Sequence, residues 1–375
     1  MGAAEPGSSE TILALDGVSK LYGATAAVDR TSLEVRRGEV FTLLGPSGCG
    51  KTTTLRLVAG LEQPDAGEIT LRGRLVASAA RRLFVPPNRR NLGMVFQSYA
   101  IWPHMTVFDN VAYPLELRGL ARAAIREKVA RVLGLVGLGG LEARAATLLS
   151  GGQMQRLALC RALVYEPDLL LLDEPFSNLD AKLREQMRVE LKLLQRRIGV
   201  TVLFVTHDQI EALSLSDRIA VMQRGRVEQV GAPRSLYERP ASVFVRDFLG
   251  QTVVLRGRVA GREASAVTVK MEDALAGRIL GGRAAAGAGL TEGAEAQLAI
   301  RPEDIAVSAE ESRSDDHTLP GVIEALLFVG DRYEARVALG GEQRILLLLP
   351  RGREWREGQK LQLRFPPDVV SVWPA

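Results

Sequence analysis

The sequence contains few of the residues that hold small domains together through disulfides. It has two cysteines, Cys49 and Cys160, in 375 residues. Two thiols in separate apolar segments do not make a disulfide framework, which is typical of a reducing compartment. Cys49 precedes a predicted helix, whose N-terminus could make the thiol reactive, but we assign it no chemistry.

Long apolar runs are also absent. No stretch of about 18 apolar residues occurs, so the sequence predicts no membrane-spanning helix. The longest apolar run late in the chain, Ile345–Leu349, is far too short to span a bilayer. Residues Met1–Glu10 are small and polar and lack the apolar core of a signal peptide. We therefore expect a protein that does not itself cross a membrane.

No strong charge of either sign is present. The net charge is +4, with 25% charged and 46% hydrophobic residues, so the chain can bury a core and is not disordered. This mild basic excess suits an anionic ligand or lipid headgroups, but it is no signature of nucleic-acid binding. The length of 375 residues predicts two domains.

A glycine-rich stretch is the strongest signal in the chain. Residues 45–52 read GPSGCGKT and fit the phosphate-loop pattern G-x-x-x-x-G-K-[ST]. An apolar run, Val40–Leu44, precedes it and a helix-forming segment follows, which disfavours a chance glycine-rich turn. Lys51 is expected to reach the β- and γ-phosphates of a nucleotide, and Thr52 to bind Mg²⁺. The expected nucleotide-binding residues are Gly45, Pro46, Ser47, Gly48, Cys49, Gly50, Lys51, Thr52 and Thr53.

A second predicted anion-binding helix terminus lies far along the chain. Residues 149–153 read LSGGQ and run into a helix predicted over Met154–Val164. Ser150 can cap this helix, and the two glycines after it expose backbone N–H groups.

Two carboxylates and a histidine follow predicted buried strands. Asp173 and Glu174 come directly after the apolar run 168–172, and His207 follows the run Thr201–Thr206. Beside a phosphate loop, Asp173 is expected to hold Mg²⁺ through water and Glu174 to polarise the attacking water. A lone histidine is usually structural, but its place at this edge of a parallel sheet favours a functional role.

Together these motifs resemble the ATP-binding subunit of an ABC transporter, over roughly residues 10–240. The resemblance implies a RecA-like α/β core with an inserted helical subdomain at about 98–165. It implies a catalytic and Mg²⁺-binding role for Gln97 (Q-loop), catalytic roles for Glu174 and His207, and adenine stacking for Tyr22, whose alternative role is that of a packed surface residue. The signature residues are Leu149, Ser150, Gly151, Gly152 and Gln153, and the D-loop residues are Ser177, Asn178, Leu179 and Asp180.

The same resemblance implies partners. Two subunits would face each other as a homodimer, with each ATP between the phosphate loop of one and the signature of the other. Gln97 would pass the nucleotide state through residues 98–113 to two membrane-spanning permease subunits at the cytoplasmic face. A solute-binding protein would act indirectly. Four side chains of that segment suit either an exposed docking patch or ordinary core contacts: Tyr99, Trp102, Met105 and Phe108.

Residues 241–375 change in texture to short alternating runs with glycine-rich turns, which predicts a small antiparallel β domain. The segment Arg301-Pro302-Glu303 resembles the oligonucleotide-fold (TOBE) domain of maltose-, polyamine- and ferric-iron-type importer ATPases. No basic groove with interleaved aromatic residues is present, so we expect no nucleic-acid binding by this domain.

Two questions stay open at this point. The segment Gln97–Met105 looks most like the ferric-iron and polyamine branch, while a sugar or another small solute is the alternative cargo. A different class is a soluble ABC ATPase that acts on nucleic acid or ribosomes. The chain lacks the long coiled coils, zinc-binding cysteines or tandem ATPase halves of that class.

Overall fold

The computed structural model describes residues 10–272, 275, 277–285, 287–308 and 317–375. The chain divides into two compact units, Met1–Leu236 and Tyr237–Ala375. The change therefore falls inside a short helix, four residues before the position at which the sequence texture changes.

The first unit has two sheets. Its strands are β1 (Thr11–Tyr22), β2 (Thr25–Arg36), β3 (Val40–Leu44), β4 (Ala66–Leu71), β5 (Arg74–Ser78), β6 (Leu83–Phe84), β7 (Leu92–Val95), β8 (Leu169–Asp173), β9 (Thr201–Thr206), β10 (Arg218–Gln223) and β11 (Arg226–Gly231). One sheet has the order β2-β1-β4-β5-β6, and the other has the order β11-β10-β3-β9-β8-β7.

The helices of this unit flank these sheets in sequence. They are α1 (Lys51–Ala59), α2 (Val107–Glu116), α3 (Arg122–Leu135), α4 (Gly151–Leu163), α5 (Ala181–Ile198), α6 (Gln209–Leu215) and α7 (Pro233–Glu238), the last of which contains the boundary. Among the described residues, no helix is long and apolar enough to cross a membrane.

The central strands of the six-stranded sheet are buried on both faces. Every residue of β3, β8 and β9 is buried, as expected of parallel strands covered by helices. β3 pairs parallel to β9, and β9 parallel to β8. Their carboxyl ends therefore meet at one edge, where ligands bind in open α/β sheets. The loops after these strands carry the phosphate loop, Glu174 and His207.

The segment inserted between β7 and β8 is helical. α2, α3 and α4 share a core, to which α3 contributes the buried stripe Ile125, Val129, Val132 and Leu133. The sequence did not indicate α2, because Pro114 lies inside it. α2 forms nevertheless, since Thr106 and Asp109 make a capping box at its start.

The first two strands are longer than the short strands that their apolar residues predict. β1 and β2 pair from Thr11↔Arg36 to Tyr22↔Thr25, through several register shifts. Tyr22 thus lies at the end of a strand, not in the turn itself. Exposed polar residues alternate along these strands, so hydrophobicity alone understates their length.

The second unit is built from ten strands and one helix. These are α8 (Val243–Phe248), β12 (Val253–Glu263), β13 (Ala266–Met271), β14 (Ile279–Ala284), β15 (Glu295–Ile300), β16 (Ala306–Ser308), β17 (Thr318–Phe328), β18 (Arg332–Gly340), β19 (Gln343–Pro350), β20 (Lys360–Arg364) and β21 (Ser371–Pro374). The strands β12-β13-β14-β21-β15 close a barrel, and β16-β20-β17-β18-β19 form a second sheet.

This unit is not purely antiparallel. β14 and β21 run parallel, while β21 and β15 run antiparallel. Strand directions cannot alternate all the way round a closed ring with an odd number of members. A five-stranded closed barrel therefore requires at least one parallel pair, which the alternating sequence pattern does not reveal.

Candidate active site

The phosphate loop depends on glycine at two points of close approach. Gly50 has φ +103°, and a Cβ there would lie 2.2 Å from the carbonyl oxygen of Ala27. A Cβ at Gly45 would lie 2.4 Å from the carbonyl oxygen of Met222. No side chain caps α1 at Gly50, so the first N–H groups of the helix are free to bind an anion.

Lys51 is buried at the start of α1. Its Nζ donates hydrogen bonds to the carbonyl oxygens of Gly45 (2.8 Å) and Pro46 (2.9 Å). The ammonium group is thus held along the inner side of the loop. Burial raises the pKa of the neighbouring Cys49 thiol, and the charge of Lys51 only partly opposes this. A raised pKa disfavours a reactive thiolate at the helix N-terminus.

Two of the expected Mg²⁺ ligands lie side by side. The Thr52 hydroxyl donates to Asp173 Oδ1 at 3.1 Å. Burial raises the pKa of Asp173, and the Thr52 hydrogen bond opposes that rise. A hydroxyl beside one carboxylate, next to a phosphate loop, fits Mg²⁺, which is held by one or two carboxylates together with substrate phosphates. Among the described residues, Gln97 makes no hydrogen bond to either group.

Glu174 is held between Gln97 and His207. The His207 Nδ1 lies 3.1 Å from Glu174 Oε1, and Gln97 Nε2 donates to Glu174 Oε2 at 3.4 Å. The Glu174 backbone has φ +44°, and its N–H donates to the carbonyl of Val205 at 2.9 Å. A non-glycine residue in this left-handed region carries backbone strain, which concentrates at functional sites. The three expected catalytic residues therefore meet at one carboxylate.

The D-loop connects Glu174 to the Q-loop. Asn178 Nδ2 donates to the carbonyl oxygen of Gln97 at 2.8 Å, and the Ser177 hydroxyl donates to the carbonyl of Glu174 at 3.0 Å. Leu179 is buried, and Asp180 caps α5 by accepting from the N–H of Leu183. The motif spacing did not show that Asn178 holds Gln97, since the two lie 81 residues apart.

The signature segment forms a capped helix start in the helical subdomain. Ser150 accepts from the Gln153 N–H (3.4 Å), and Gln153 Oε1 accepts from the Ser150 N–H (3.0 Å). This capping box starts α4 at Gly151, three residues earlier than the sequence predicts. Leu149 is buried, and a Cβ at Gly152 would lie 3.1 Å from Leu183. Among the described residues, no hydrogen bond joins the signature to residues 45–53.

Tyr22 is half exposed, with 49% of its surface accessible. Its hydroxyl interacts with Glu62 and Thr53, and desolvation and Glu62 raise the pKa of Tyr22. Tyr22 and Thr53 therefore lie together beside the first turn of α1. An accessible ring next to the phosphate loop is placed where a nucleotide base could stack on it.

A buried arginine that the motifs do not include supports the loop from behind. Arg90 donates to the carbonyl oxygens of Val85 (2.7 Å), Leu57 (2.8 Å) and Val58 (2.9 Å). Burial lowers the pKa of Arg90 to about 10. Arg90 thereby satisfies carbonyl groups at the end of α1, opposite the phosphate-binding end. Nothing local in the sequence marks it, because its partners on α1 are more than thirty residues away.

The aromatic patch is less exposed than a docking surface would require. Tyr99 is buried, and Trp102, Met105 and Phe108 are half buried. Arg161 donates to the carbonyl of Tyr99 at 2.8 Å and stacks over the Trp102 ring. These contacts make Tyr99 and Trp102 part of the packing of the helical subdomain.

The comparisons with known proteins agree with this architecture. Residues 28–177 match the ABC transporter family model, and residues 298–373 match the TOBE domain model. The spermidine/putrescine import ATP-binding protein of Rubrobacter xylanophilus is 43% identical over 377 residues, which span 100% of this chain and 94% of that protein. The chain belongs to the ABC transporter family. It is an importer-type ABC ATPase with a TOBE domain.

Further relatives of this ABC ATPase are named for different cargoes. The Fe(3+) ions import ATP-binding protein of Rhizobium meliloti is 46% identical, over 86% of this chain and 87% of that protein. The trehalose/maltose import ATP-binding protein of Thermococcus litoralis is 56% identical, over 62% of this chain and 63% of that protein.

Solved structures match the ATPase unit. A part of an ABC transporter complex from Clostridium perfringens has a TM-score of 0.55 and 28% identity, over 61% of this chain and 91% of that one. A bacterial ABC transporter cassette solved as a dimer has a TM-score of 0.52 and 30% identity, over 60% of this chain and 99% of that one. These matches cover the α/β fold with its helical insertion.

Proposed function

We propose that two copies of this ABC ATPase form a homodimer with two composite ATP sites. The observation that carries this proposal is that one chain holds two separate anion-binding helix starts. The phosphate loop lies with the carboxylates at the edge of the sheet, while the signature lies in the helical subdomain without a hydrogen bond to it among the described residues. A head-to-tail pair brings the two kinds of terminus together, once per ATP.

Within each site, the residues take distinct roles. Glu174 orients and deprotonates the attacking water, and His207 and Gln97 fix that carboxylate from two sides. Thr52 and Asp173 would hold Mg²⁺, which supplies charge stabilisation for the phosphates. Lys51 and the N–H groups of α1 bind the β- and γ-phosphates, and the partner's Ser150–Gly152 helix terminus closes over the γ-phosphate. Tyr22 stacks on the adenine.

This dimer would power the import of a small solute. We propose that it lies peripherally at the cytoplasmic face of the cell membrane, bound to two membrane-spanning permease subunits that receive cargo from a solute-binding protein. The import names of the relatives support this reading, and one structural match is dimeric. No nucleic-acid partner is required.

We propose ferric iron or a polyamine as the cargo. The relatives that match most of the chain are named for those two cargoes, while the maltose-type relative matches 62% of it. An uptake assay with labelled spermidine, ferric iron and maltose, in cells with and without the gene, tests this. Selective loss of maltose uptake would replace the proposed cargo with a sugar.

Mixing two inactive variants tests the composite site. Lys51→Ala removes the phosphate-loop ammonium. Gly151→Glu adds a carboxylate to the first turn of α4, where it suits the helix dipole but repels phosphate. A Cβ at Gly151 meets only Leu179 at 3.6 Å, so this variant is expected to fold.

Each variant alone is expected to be inactive, whereas the mixed dimer regains one intact site. Partial recovery of ATP hydrolysis on mixing therefore supports the proposal. Mixing Lys51→Ala with a second phosphate-loop variant, Thr52→Ala, is the matched control and should give no recovery. If the first mixture also stays inactive while the two chains still associate, the composite site is wrong.

A further inference from the structure

One side chain, Arg184 near the start of α5, bridges two loops that leave the active site. Its Nη2 donates to the carbonyl oxygen of Leu179 in the D-loop at 3.1 Å. Its Nη1 lies 3.5 Å from Asp208 Oδ2, in the residue after His207. None of the sequence motifs includes Arg184, and the planar guanidinium can hold both partners at once.

On the histidine side, Arg184 contacts a compact hydrogen-bond network. Asp208 Oδ1 accepts from the N–H of Glu211 at 3.0 Å, which caps α6. The Asp208 N–H donates to the Thr206 hydroxyl at 3.0 Å, and that hydroxyl donates to Glu211 Oε2 at 2.6 Å. His207 lies between Thr206 and Asp208, so this network fixes the backbone from which its ring reaches Glu174.

On the D-loop side, the bridge returns to the same carboxylate. The N–H of Leu179 donates to the carbonyl of Phe176, and the hydroxyl of Ser177 donates to the carbonyl of Glu174. Glu174 in turn contacts His207. A closed ring therefore runs from Glu174 through the D-loop, Arg184 and Asp208 to His207.

Stability alone does not account for this arginine. Its ion pair with Asp208 is partly exposed, with side-chain accessibilities of 33% and 24%, and such pairs contribute little to stability. Its Nε is buried without a hydrogen-bond partner, which costs desolvation free energy. The side chain thus spends free energy to hold a geometry.

We propose that Arg184 is a positioning residue for ATP hydrolysis, which holds His207 in register with Glu174 by tying the D-loop to Asp208. This inference rests on the proposed role of His207. Arg184 touches neither nucleotide nor water, and it acts only through the two loops.

Steady-state kinetics of the full-length protein test this role. We expect Arg184→Gln to lower kcat by about tenfold or more with KM for ATP nearly unchanged, because the loss is confined to the hydrolysis step. Arg188, one turn further along α5, makes no ion pair among the described residues. Arg188→Gln is therefore the matched control, with wild-type kcat. Thermal unfolding of both variants monitors folding.

A double-mutant cycle separates positioning from bulk destabilisation. Asp208→Asn keeps the oxygen that caps α6 but removes the charge facing Arg184. We expect it to lower kcat as Arg184→Gln does, with no further fall in the double variant. Arg184→Lys keeps the charge but cannot make both contacts, so partial recovery of kcat is expected. Independent, multiplying losses in the double variant would overturn the inference.

His207→Ala distinguishes this inference from the function on which it rests. If His207→Ala hydrolyses ATP normally, the proposed role of His207 fails. If His207→Ala is defective while Arg184→Gln keeps wild-type kcat, only the positioning role of Arg184 is wrong. Should Arg184→Gln not fold, the same reading is taken from Arg184→Lys and Asp208→Asn.

Discussion

Glu174 shows how much of this site depends on a single residue. Its backbone adopts φ +44°, and its two carboxylate oxygens face His207 and Gln97. Such a conformation persists only when the surrounding contacts determine it. The bond from its N–H to Val205 supplies one of these contacts, because it fixes the turn to the neighbouring strand.

Glu174→Gln is expected to abolish turnover while ATP binding is kept. Glutamine has the same shape and can accept a hydrogen bond, but it cannot take a proton from water. The expected loss in kcat is about a hundredfold or more. Hydrolysis assays and equilibrium ATP binding measure the two effects, and gel filtration with ATP should show an accumulated dimer. Normal hydrolysis in this variant would remove Glu174 from its assigned role.

Glu211 is expected to make stability depend on pH. Burial raises the pKa of this carboxyl, with Asp208 adding to the rise while Thr206, Arg184 and His207 oppose it. The native state therefore holds the proton more tightly than the unfolded chain, in which a glutamate titrates at about 4.3. The contribution of Glu211 is fully present below that pH and is lost as pH rises through the folded pKa.

Comparison of Glu211→Gln with the wild type isolates this effect. Glutamine stays neutral and can still accept from the Thr206 hydroxyl. The free energy of unfolding of the variant should therefore gain on that of the wild type as pH rises from acidic to neutral. Denaturant titrations across that range measure it. A difference between the two proteins that does not change with pH would contradict the assignment.

At the scale of elements, two helices of the same subdomain begin with the same device. α2 starts with the Thr106–Asp109 capping box and α4 with the Ser150–Gln153 box. Each box satisfies N–H groups that the first turn leaves without an intrahelical partner. Only α4 is assigned a role toward ATP, so the pair separates the structural effect of a cap from its function.

Ser150→Ala and Thr106→Ala should each cost about 1 kcal/mol of stability. We expect only Ser150→Ala to lower hydrolysis strongly, because its hydroxyl and N–H terminus face the partner's nucleotide in the proposed dimer. Denaturant unfolding and ATPase assays on both variants give the comparison. Equal losses of activity in the two variants would mean that Ser150 acts through helix stability alone.

The elements with local signals were predictable from the sequence. α5 spans Ala181–Ile198 as predicted, because Asp180 caps it and Gly199 ends it. β9 likewise spans Thr201–Thr206, a wholly apolar run. The phosphate loop is a local motif with local flanks, so its position beside a buried strand also followed from the sequence.

What the sequence could not show are contacts between distant segments. The bonds of Asn178 to Gln97 and of Arg90 to the end of α1 join residues whose spacing obeys no period. The burial of Tyr99 depends on Arg161, 62 residues further along the chain. Side-chain type indicated an aromatic patch, but only the packing of the helical subdomain decides which rings face solvent.

For the whole molecule, the composite site makes activity a property of the assembly. If a hydrolytic site needs two chains, the activity per chain should rise with protein concentration and then level off as the dimer fills. A monomer that hydrolyses ATP on its own would show a constant activity per chain. ATPase assays over a wide range of enzyme concentration, with analytical ultracentrifugation in parallel, distinguish the two cases.

The five-stranded barrel of the second unit imposes an order on its own synthesis. Residues Ser371–Pro374 insert between β14 and β15 and supply the parallel pair that an odd ring needs. Until these residues leave the ribosome, both neighbouring strands keep an unpaired edge, which invites association with other chains. Folding of this unit therefore waits for its last strand, whereas the ATPase unit has emerged much earlier.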